Sequence, residues 1–441
     1  MLRPSPVPDE PLGIPGRPST GSGPRFAGPA PACRGGPGDR QAGGVRLVLV
    51  AASPVYYQVP LYRRLAADPR VWFTALFCSD VGVRPYDAEF GGRLVRWDTD
   101  LLGGYHAQFL RHAHHNDVGH GFWGLRDWDV VSCLRRLRPD VVWLHGASYL
   151  TLWLALVAAR LTRRPVLLRE EQTLLHPRPP LKRPLRALVW RALCQQVYAL
   201  YIGSHNRAFF RHYGVPERRL FFVPYTVDNE ALQRTAAALR PCQAALRRAF
   251  GVDPAAGPLV LFVGKLIPKK QPHLLLEAFA RVRRRYPCAL LFVGEGPLMA
   301  GLRRQATAAG IPDVHFAGFL GREQVTRAYA AADLFVLPSG WHETWGVVVN
   351  EAMNFDLPVV VSDAVGCAPD LVHEGDNGYV VPRADADRLA EAIAVLVRDE
   401  ERRRRFGQRS RAIIAAWHPA LAAEGVVRAC YAAVRGAGGG A

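Results

Sequence analysis

The sequence predicts an α/β protein built as two tandem Rossmann-like, doubly wound domains facing a central cleft. Three observations lead there. Beyond residue 44, short apolar runs alternate with segments of helical periodicity, the pattern of a parallel sheet covered on both faces. The pattern starts twice, once at Val45 and again at the run LVLFVG. At 441 residues and 49% hydrophobic content, the chain is too long for one ordinary domain.

Residues 1–44 are dense in Pro, Gly and Ser and carry no apolar periodicity, so they are expected to stay disordered. They have no apolar h-region, so no signal peptide is expected, and they lack the amphipathic spacing of a transit segment. The first domain is expected over residues 45–225, with strands in VRLVLVAA, VWFTALFC, DVVWLH, PVLLRE and VYALYIGS and helices in PLYRRLAA and SYLTLWLALVAARL. The second is expected over 226–415. Its strands are LVLFVG, ALLFVGEG, VHFAGFL, LFVLPS, PVVVSD and GYVV, with helices HLLLEAFARVRRRY, REQVTRAYAAA, GVVVNEAM and ADRLAEAIAVLVRDE between and after them. Residues 416–435 are expected to form a closing helix that crosses back to the first domain. In such sheets ligands bind off the carboxyl ends of the strands, which puts the expected site in the shared cleft.

Eight cysteines are scattered without a C-x-x-C pair, which argues against a disulfide framework or a zinc knuckle and suits a reducing cytosol. The longest apolar run, Ala147 to Ala159, is too short to span a bilayer, so no transmembrane helix is expected. The formal charge is +18, of which the first domain carries +12, the second half +4 and the tail +2. Anionic partners are therefore expected on the first domain. Of 56 basic residues only four are lysine, and three of these, Lys265, Lys269 and Lys270, fall within six positions. In a chain that writes arginine almost everywhere, that loop stands out.

The lysine loop, Phe262 to Lys270, runs from a strand into a turn just before a helix. Two ammonium groups there can hold a diphosphate, and Gly264 lets backbone come close. A second constellation runs from Pro338 to Met353 and contains Glu343 and Glu351, eight positions apart. If Glu343 precedes the helix and Glu351 lies two turns in, both carboxylates can face the cleft and meet sugar or ribose hydroxyls. Between them, first-turn N–H groups around Thr344, Trp345 and Gly346 would form an anion site without a metal. The turns at Gly294 and Gly296, and at Phe316 to Phe319 around Gly318, each follow a strand, where glycine permits contact with a ligand or simply a tight turn.

The order of these motifs resembles the donor domain of the family-four glycosyltransferases of bacterial type, retaining enzymes of the two-Rossmann GT-B fold. It runs LFVGKLIPKKQPHLLLEAF, LLFVGEGPL, HFAGFL, AYAAADLFVLPSGWHETWGVVVNEAM and PVVVSDAVGCAPDLVHEGDNGYVV. The first half fits as well, through HGASYLTLWLALVAARLTRRPVLLREEQT and IGSHNRAFFRHYGVPERRLFFVPYTVD, and the Trp417 to Tyr431 segment resembles the helix that crosses back onto the first domain. The resemblance implies that Lys265 and Lys270 bind the donor diphosphate. It implies that Glu343 contacts the transferred sugar, with Thr344 to Val347 backbone near sugar and phosphate. Glu351 would hold the ribose, and Phe316 to Phe319 would line the base. Transfer from a nucleoside-diphosphate sugar would retain the anomeric configuration, with the lysines and the helix N-terminus stabilising the departing diphosphate and no cofactor or divalent metal required.

The acceptor half departs from the family pattern. Many members place a histidine where this chain reads Arg169-Glu170-Glu171-Gln172, and Glu171 falls at that position, so a carboxylate would orient or deprotonate the acceptor hydroxyl. The alternative is a structural ion pair between Arg169 and a glutamate. His145, ending DVVWLH, also points at the cleft. Asp98-Thr-Asp100 is the D-x-D that metal-dependent transferases use, yet it precedes no nucleotide-binding strand pattern. His106, His112, His114, His115 and His120 lack the cysteines and regular spacing of a zinc site. The basic, partly apolar stretch His176 to Gln195 suits either an ordinary surface helix or contact with an anionic membrane. The expected partners are a nucleotide-sugar donor and a saccharide or lipid-linked acceptor, with an anionic acceptor favoured by the charge. The expected location is the cytoplasm, with peripheral contact at the inner face of the plasma membrane. A nucleotide-sugar epimerase is the rival enzyme; a nucleic-acid binder is disfavoured because arginines are spread over both halves without interleaved aromatic platforms.

Overall fold

Apolar, β-branched runs that begin at Val45 form the first of two parallel sheets. The computed structural model describes residues 44–84, 100–116, 118–119, 121–175 and 183–438; the predicted tail, Asp98, His120 and the start of the His176 to Gln195 stretch lie outside them. The first sheet contains β1 (Val45–Ala51), β2 (Val71–Phe77), β3 (His106–Phe109), β4 (Val141–His145), β5 (Val166–Arg169), β6 (Tyr198–Tyr201) and β7 (Leu220–Phe222). Their order across the sheet is β3-β2-β1-β4-β5-β6-β7. The second sheet contains β8 (Leu259–Val263), β9 (Ala289–Val293), β10 (Val314–Gly318), β11 (Leu334–Leu337), β12 (Val359–Ser362) and β13 (Gly378–Val381), in the order β10-β9-β8-β11-β12-β13. Every pairing between these strands is parallel. Both sheets therefore reverse strand order beside their first strand, and a crevice opens at the carboxyl ends of β1 and β4 and of β8 and β11.

All six strands expected in the second domain form. In the first, β3 and β7 are additions to the five strands read from the sequence. Both are edge strands, four and three residues long and only partly buried. β3 reads His-Ala-Gln-Phe and leaves no continuous apolar run, while β7, Leu-Phe-Phe, is apolar but too short at three residues to be told from a loop by periodicity.

Helices cover both faces of each sheet. In the second domain one core joins the buried strands β8 and β9 to the apolar side of helix Pro272–Arg283 through Leu275, Leu276 and Phe279. The first sheet has a core on each face. One is filled by helices Asp129–Leu137, Leu150–Leu161, Arg183–Cys194 and Ser204–His212. The other is closed by helix Val59–Ala67 together with Ala422, Val426, Ala429, Cys430 and Ala433 of the last helix, Pro419–Gly438. The chain's final segment thus leaves the second domain and completes the core of the first. Before it, helix Glu400–Ala415 stays with the second domain, capped at its start by Asp399, whose side chain accepts from Arg402 N.

The last helix packs tightly because Gly425 faces the end of β7. A Cβ there would strike the Phe222 carbonyl oxygen and approach Val223 Cγ2. Gly425→Ala is expected to destabilise the protein by about 1–3 kcal/mol through overpacking, seen as a lower melting temperature; an unchanged melt would show that the helix does not bear on the first domain at this point.

Candidate functional site

The loops leaving the carboxyl ends of β8, β9 and β10 are laced together by backbone hydrogen bonds. Gly264 N donates to Val293 O (2.9 Å), Leu266 N to Glu295 O (2.8 Å), Gly294 N to Gly318 O (2.8 Å) and Leu298 N to Leu266 O (3.1 Å). Gly294 and Gly296 have φ of 129° and 155°, and a Cβ on them would strike the carbonyl oxygens of Gly264 and Leu266. The close approach that demands glycine at these two positions is thus to the neighbouring loop, where the sequence suggested a ligand. Gly318 also takes a positive φ, 73°, and has ordinary space around it.

From Gly264 and the half-buried Lys265 the chain turns through Pro268–Lys270 and Gln271 into the helix that follows. Lys269 O accepts from Gly340 N at 2.8 Å, which ties this turn to the loop after β11. Lys270 is thereby folded back: its Cε lies 3.8 Å from where a Cβ on Gly264 would stand. Its Nζ donates to Glu343 Oε2. The Ser339 hydroxyl donates to the same carboxylate oxygen at 3.0 Å. Burial works to raise the Glu343 carboxyl pKa, but Lys270, Lys269 and Ser339 outweigh it and hold Glu343 below the usual carboxylate range. The result is a buried, ionised pair at the crevice of the second sheet.

Past Glu343 the geometry departs from expectation. The helix is Val347–Met353, seven residues, so Glu351 lies little more than one turn in rather than two. Gly346 precedes it with φ 95°. So short a helix has a small dipole, and the anion-holding capacity of this region rests chiefly on the lysines. Trp345 is buried: its indole packs on Tyr225 and Trp417, and its Nε1 donates to Asn350 Oδ1 at 2.8 Å. Only its backbone is left to meet a ligand. Phe316 stacks on Phe292 with ring centroids 5.1 Å apart, and the Arg303 guanidinium covers it, so its ring packs within the domain; the loop to Phe319 follows it.

Glu351 is buried and does not share a partner with Glu343. Tyr329 OH donates to its Oε2 (3.1 Å), and Tyr56 OH, from the first domain, donates to its Oε1 (3.2 Å). Burial raises the Glu351 pKa in spite of the nearby Arg322.

On the first domain's side, Glu171 connects the two halves. His145 Nε2 lies 3.4 Å from Glu171 Oε1, and the Thr344 hydroxyl of the second domain donates to Oε2 at 3.3 Å. Burial works to raise the Glu171 pKa, yet His145, Arg169 and Thr344 together hold it lowered. Its side chain is 30% exposed, so it is reachable. Arg169 is fully buried and makes no ion pair with either glutamate among the described residues, contrary to the structural alternative read from the sequence. Its guanidinium lies 4.6 Å from the Tyr225 ring centroid, and its three nitrogens have no hydrogen-bond partner. It acts on Glu171 through space and cannot touch an acceptor. Glu170 is also structural, with Oε2 accepting from Ala147 N (2.9 Å) and Oε1 from Glu171 N (3.1 Å).

Sequence reasoning passed over Tyr56, Tyr329, Arg322 and Ser339. The signal for Tyr56 was its place in the loop that leaves β1, at the strand-order reversal where such sheets bind ligands. The remaining candidates disperse. Asp100 caps its own turn, accepting from Leu102 N and Gly103 N. His106 lies in β3 beside Thr74, His112 pairs with Asp127 and His114 with Asp80. Among the described residues no three His, Cys, Asp or Glu side chains gather to hold a metal.

Burial pushes the Glu170 pKa up to about 7. The folded state then holds a proton that the unfolded state has released, so stability falls as pH rises from about 4.5 to about 7 and levels off above. Glu170→Gln should flatten that decline in thermal melts across the same window. An unaltered slope would assign the pH dependence to another group.

Residues 248–413 match the family model described as glycosyl transferases group 1. The chain is 30% identical over 210 residues to the GDP-mannose-dependent alpha-(1-6)-phosphatidylinositol monomannoside mannosyltransferase of Mycobacterium tuberculosis, covering 46% of this chain and 53% of that protein. It is 35% identical over 233 residues to the D-inositol 3-phosphate glycosyltransferase of Nocardia farcinica, covering 50% and 49%. The chain thus spans about half the length of the curated relatives it matches. The fold is similar to that of Anabaena HepE, solved with UDP and glucose, at TM-score 0.66 and 18% identity, over 87% of this chain and 98% of that one. The architecture is GT-B.

Proposed function

We propose, for a chain whose residues 248–413 match the family model of the group 1 glycosyl transferases, that it moves a hexose from a nucleoside-diphosphate sugar to a glycan, a lipid-linked saccharide or a small glycosylated acceptor. The transfer retains the anomeric configuration and needs no divalent metal. The observation that carries this reading is the buried Lys270–Glu343 pair at the crevice of the second sheet, beside Gly264 and Lys265. A buried ammonium whose partner is one carboxylate is suited to turn toward a diphosphate, because both charges have already been desolvated and the site is preorganised for the charge that develops.

In the reaction the bond between the anomeric carbon and the diphosphate oxygen breaks. A new bond forms on the same face to an acceptor hydroxyl. Lys265 and Lys270 neutralise the departing diphosphate, Glu343 holds the transferred sugar, and Glu351 accepts from the ribose hydroxyls. Glu171, ionised and reachable from the first domain's crevice, orients the acceptor hydroxyl and takes its proton as that proton becomes acidic. Arg169 and His145 support the charge on Glu171.

For the acceptor we favour an anionic or lipid-linked saccharide at a membrane face. The first domain carries +12. Helix Arg183–Cys194 leaves Leu185, Leu188 and Val189 exposed beside Arg191, while Trp190 and Leu193 pack inward, the pattern of a surface that lies on anionic lipid. No helix of the described residues is long and apolar enough to cross a membrane.

Thermal-shift measurements with UDP-, GDP-, ADP- and CDP-sugars in EDTA test the donor site. A donor at 100 times its dissociation constant stabilises by about 2.7 kcal/mol, and Lys270→Ala should abolish that gain. Stabilisation seen only with manganese would overturn the metal-free site. Separately, Glu171→Gln should lower turnover at least tenfold with donor binding unchanged; full activity in that variant would remove Glu171 from the reaction.

A further inference from the structure

Glu351 sits in the second domain, yet one of its two oxygens is taken by the first. Tyr56 belongs to the short turn Tyr56–Gln58 that follows β1, and its hydroxyl donates to Glu351 Oε1 at 3.2 Å. Tyr329, the other partner, is different in kind: it lies in the same domain as Glu351, is 1% exposed, stacks on Phe355 and packs beside Phe335. It stays with Glu351 however the domains move. Tyr56 stays only while the two crevices are together. Glu351 itself is buried, 6% exposed, with Tyr56 in place.

Arg322, at the start of helix Arg322–Ala331, lies over the Tyr56 ring with its Cζ 4.6 Å from the centroid. Its Nη1 is buried without a hydrogen-bond partner among the described residues. A buried guanidinium nitrogen left unpaired beside a carboxylate marks a place built for one more polar group than the unliganded chain supplies.

We infer that Tyr56 is an internal competitor for the donor's ribose: its hydroxyl occupies the Glu351 oxygen that a ribose hydroxyl would take, and a nucleotide binds by displacing it. This rests on the reading of Glu351 as the ribose carboxylate. The contact couples the nucleotide site to the spacing of the two domains. When the pocket is vacant the first domain satisfies the buried carboxylate, and when a nucleotide arrives that hydrogen bond is exchanged and Tyr56 is released.

Calorimetric titration of the full chain with UDP, GDP, ADP and CDP tests this, on the wild type and on Tyr56→Phe, Tyr329→Phe and Glu351→Gln. Tyr56→Phe keeps the ring under Arg322 and removes only the competing hydroxyl. It should bind the preferred nucleotide about tenfold more tightly, a change of about 1.4 kcal/mol, in keeping with the net worth of one hydrogen bond. Weaker binding would overturn the inference by making Tyr56 part of the ribose site, and unchanged binding would overturn it by removing the hydroxyl from competition. Tyr329→Phe should not tighten binding; equal tightening there would mean that any loosening of the pocket suffices, which also overturns it. If Glu351→Gln leaves nucleotide affinity untouched, the ribose reading of Glu351 fails. If that variant weakens binding while Tyr56→Phe does not strengthen it, only the role given to Tyr56 fails.

Discussion

Parallel pairing is the constraint on which the rest of this molecule depends. All strand pairings within the two sheets are parallel, so each sheet delivers its strand-end loops to one edge. A parallel pair cannot be closed by a tight turn, and each return to the opposite edge requires a crossover, mostly a helix here. Helices therefore cover both faces, and the loops with no helix above them gather at the carboxyl edge. Lys265, Lys270 and Glu343 on one sheet and His145 and Glu171 on the other all stand at such ends. Their distance in sequence is the length of the crossovers between them.

Burial and charge then act against each other at that edge, and the balance differs from one carboxylate to the next. Glu343 has an ammonium partner and Glu171 has His145 and Arg169 close by, and both are held ionised. Glu170 has only backbone and amide donors beside the charge of Glu171, and at Glu351 neither Arg322 nor the two tyrosine hydroxyls offset desolvation, so burial raises both. Four glutamates of one residue type are divided into two ionised groups at the reacting end and two that burial shifts toward the neutral form.

Contacts between the domains combine polar pairs at the crevice with packed rings. Thr344 reaches Glu171, Tyr56 reaches Glu351, and Ser204 N and Oγ both donate to Asp370. Behind them runs a column of rings, Tyr57, Tyr225, Trp345 and Trp417, with successive centroids 5.4 to 6.0 Å apart. Next to Trp417 the chain enters the last helix, whose alanines and valines complete the core of the first sheet. Hydroxyl and carboxylate contacts exchange readily with ligand groups, whereas the ring column and the last helix keep the domains attached.

Much of this was legible in the order of residues. The six strands of the second sheet could be read because four of them are fully buried and written as continuous apolar runs, while β3 and β7, short and at the edges, could not. The rarity of lysine singled out the loop at Lys265 to Lys270, and the sequence determined on its own the fold class, the two-domain division and the strand-end position of most polar candidates, since these follow from local periodicity and composition. Only the tertiary structure decided which candidates meet. It joined Lys270 to Glu343, buried Arg169 against Tyr225 without an ion pair to either neighbouring glutamate, turned Trp345 inward, spent Gly294 and Gly296 on loop-to-loop packing, and brought Tyr56 to Glu351 across 295 positions. Hydrogen bonding and desolvation depend on distances of a few ångströms between segments far apart along the chain, and no local pattern of residues encodes those distances.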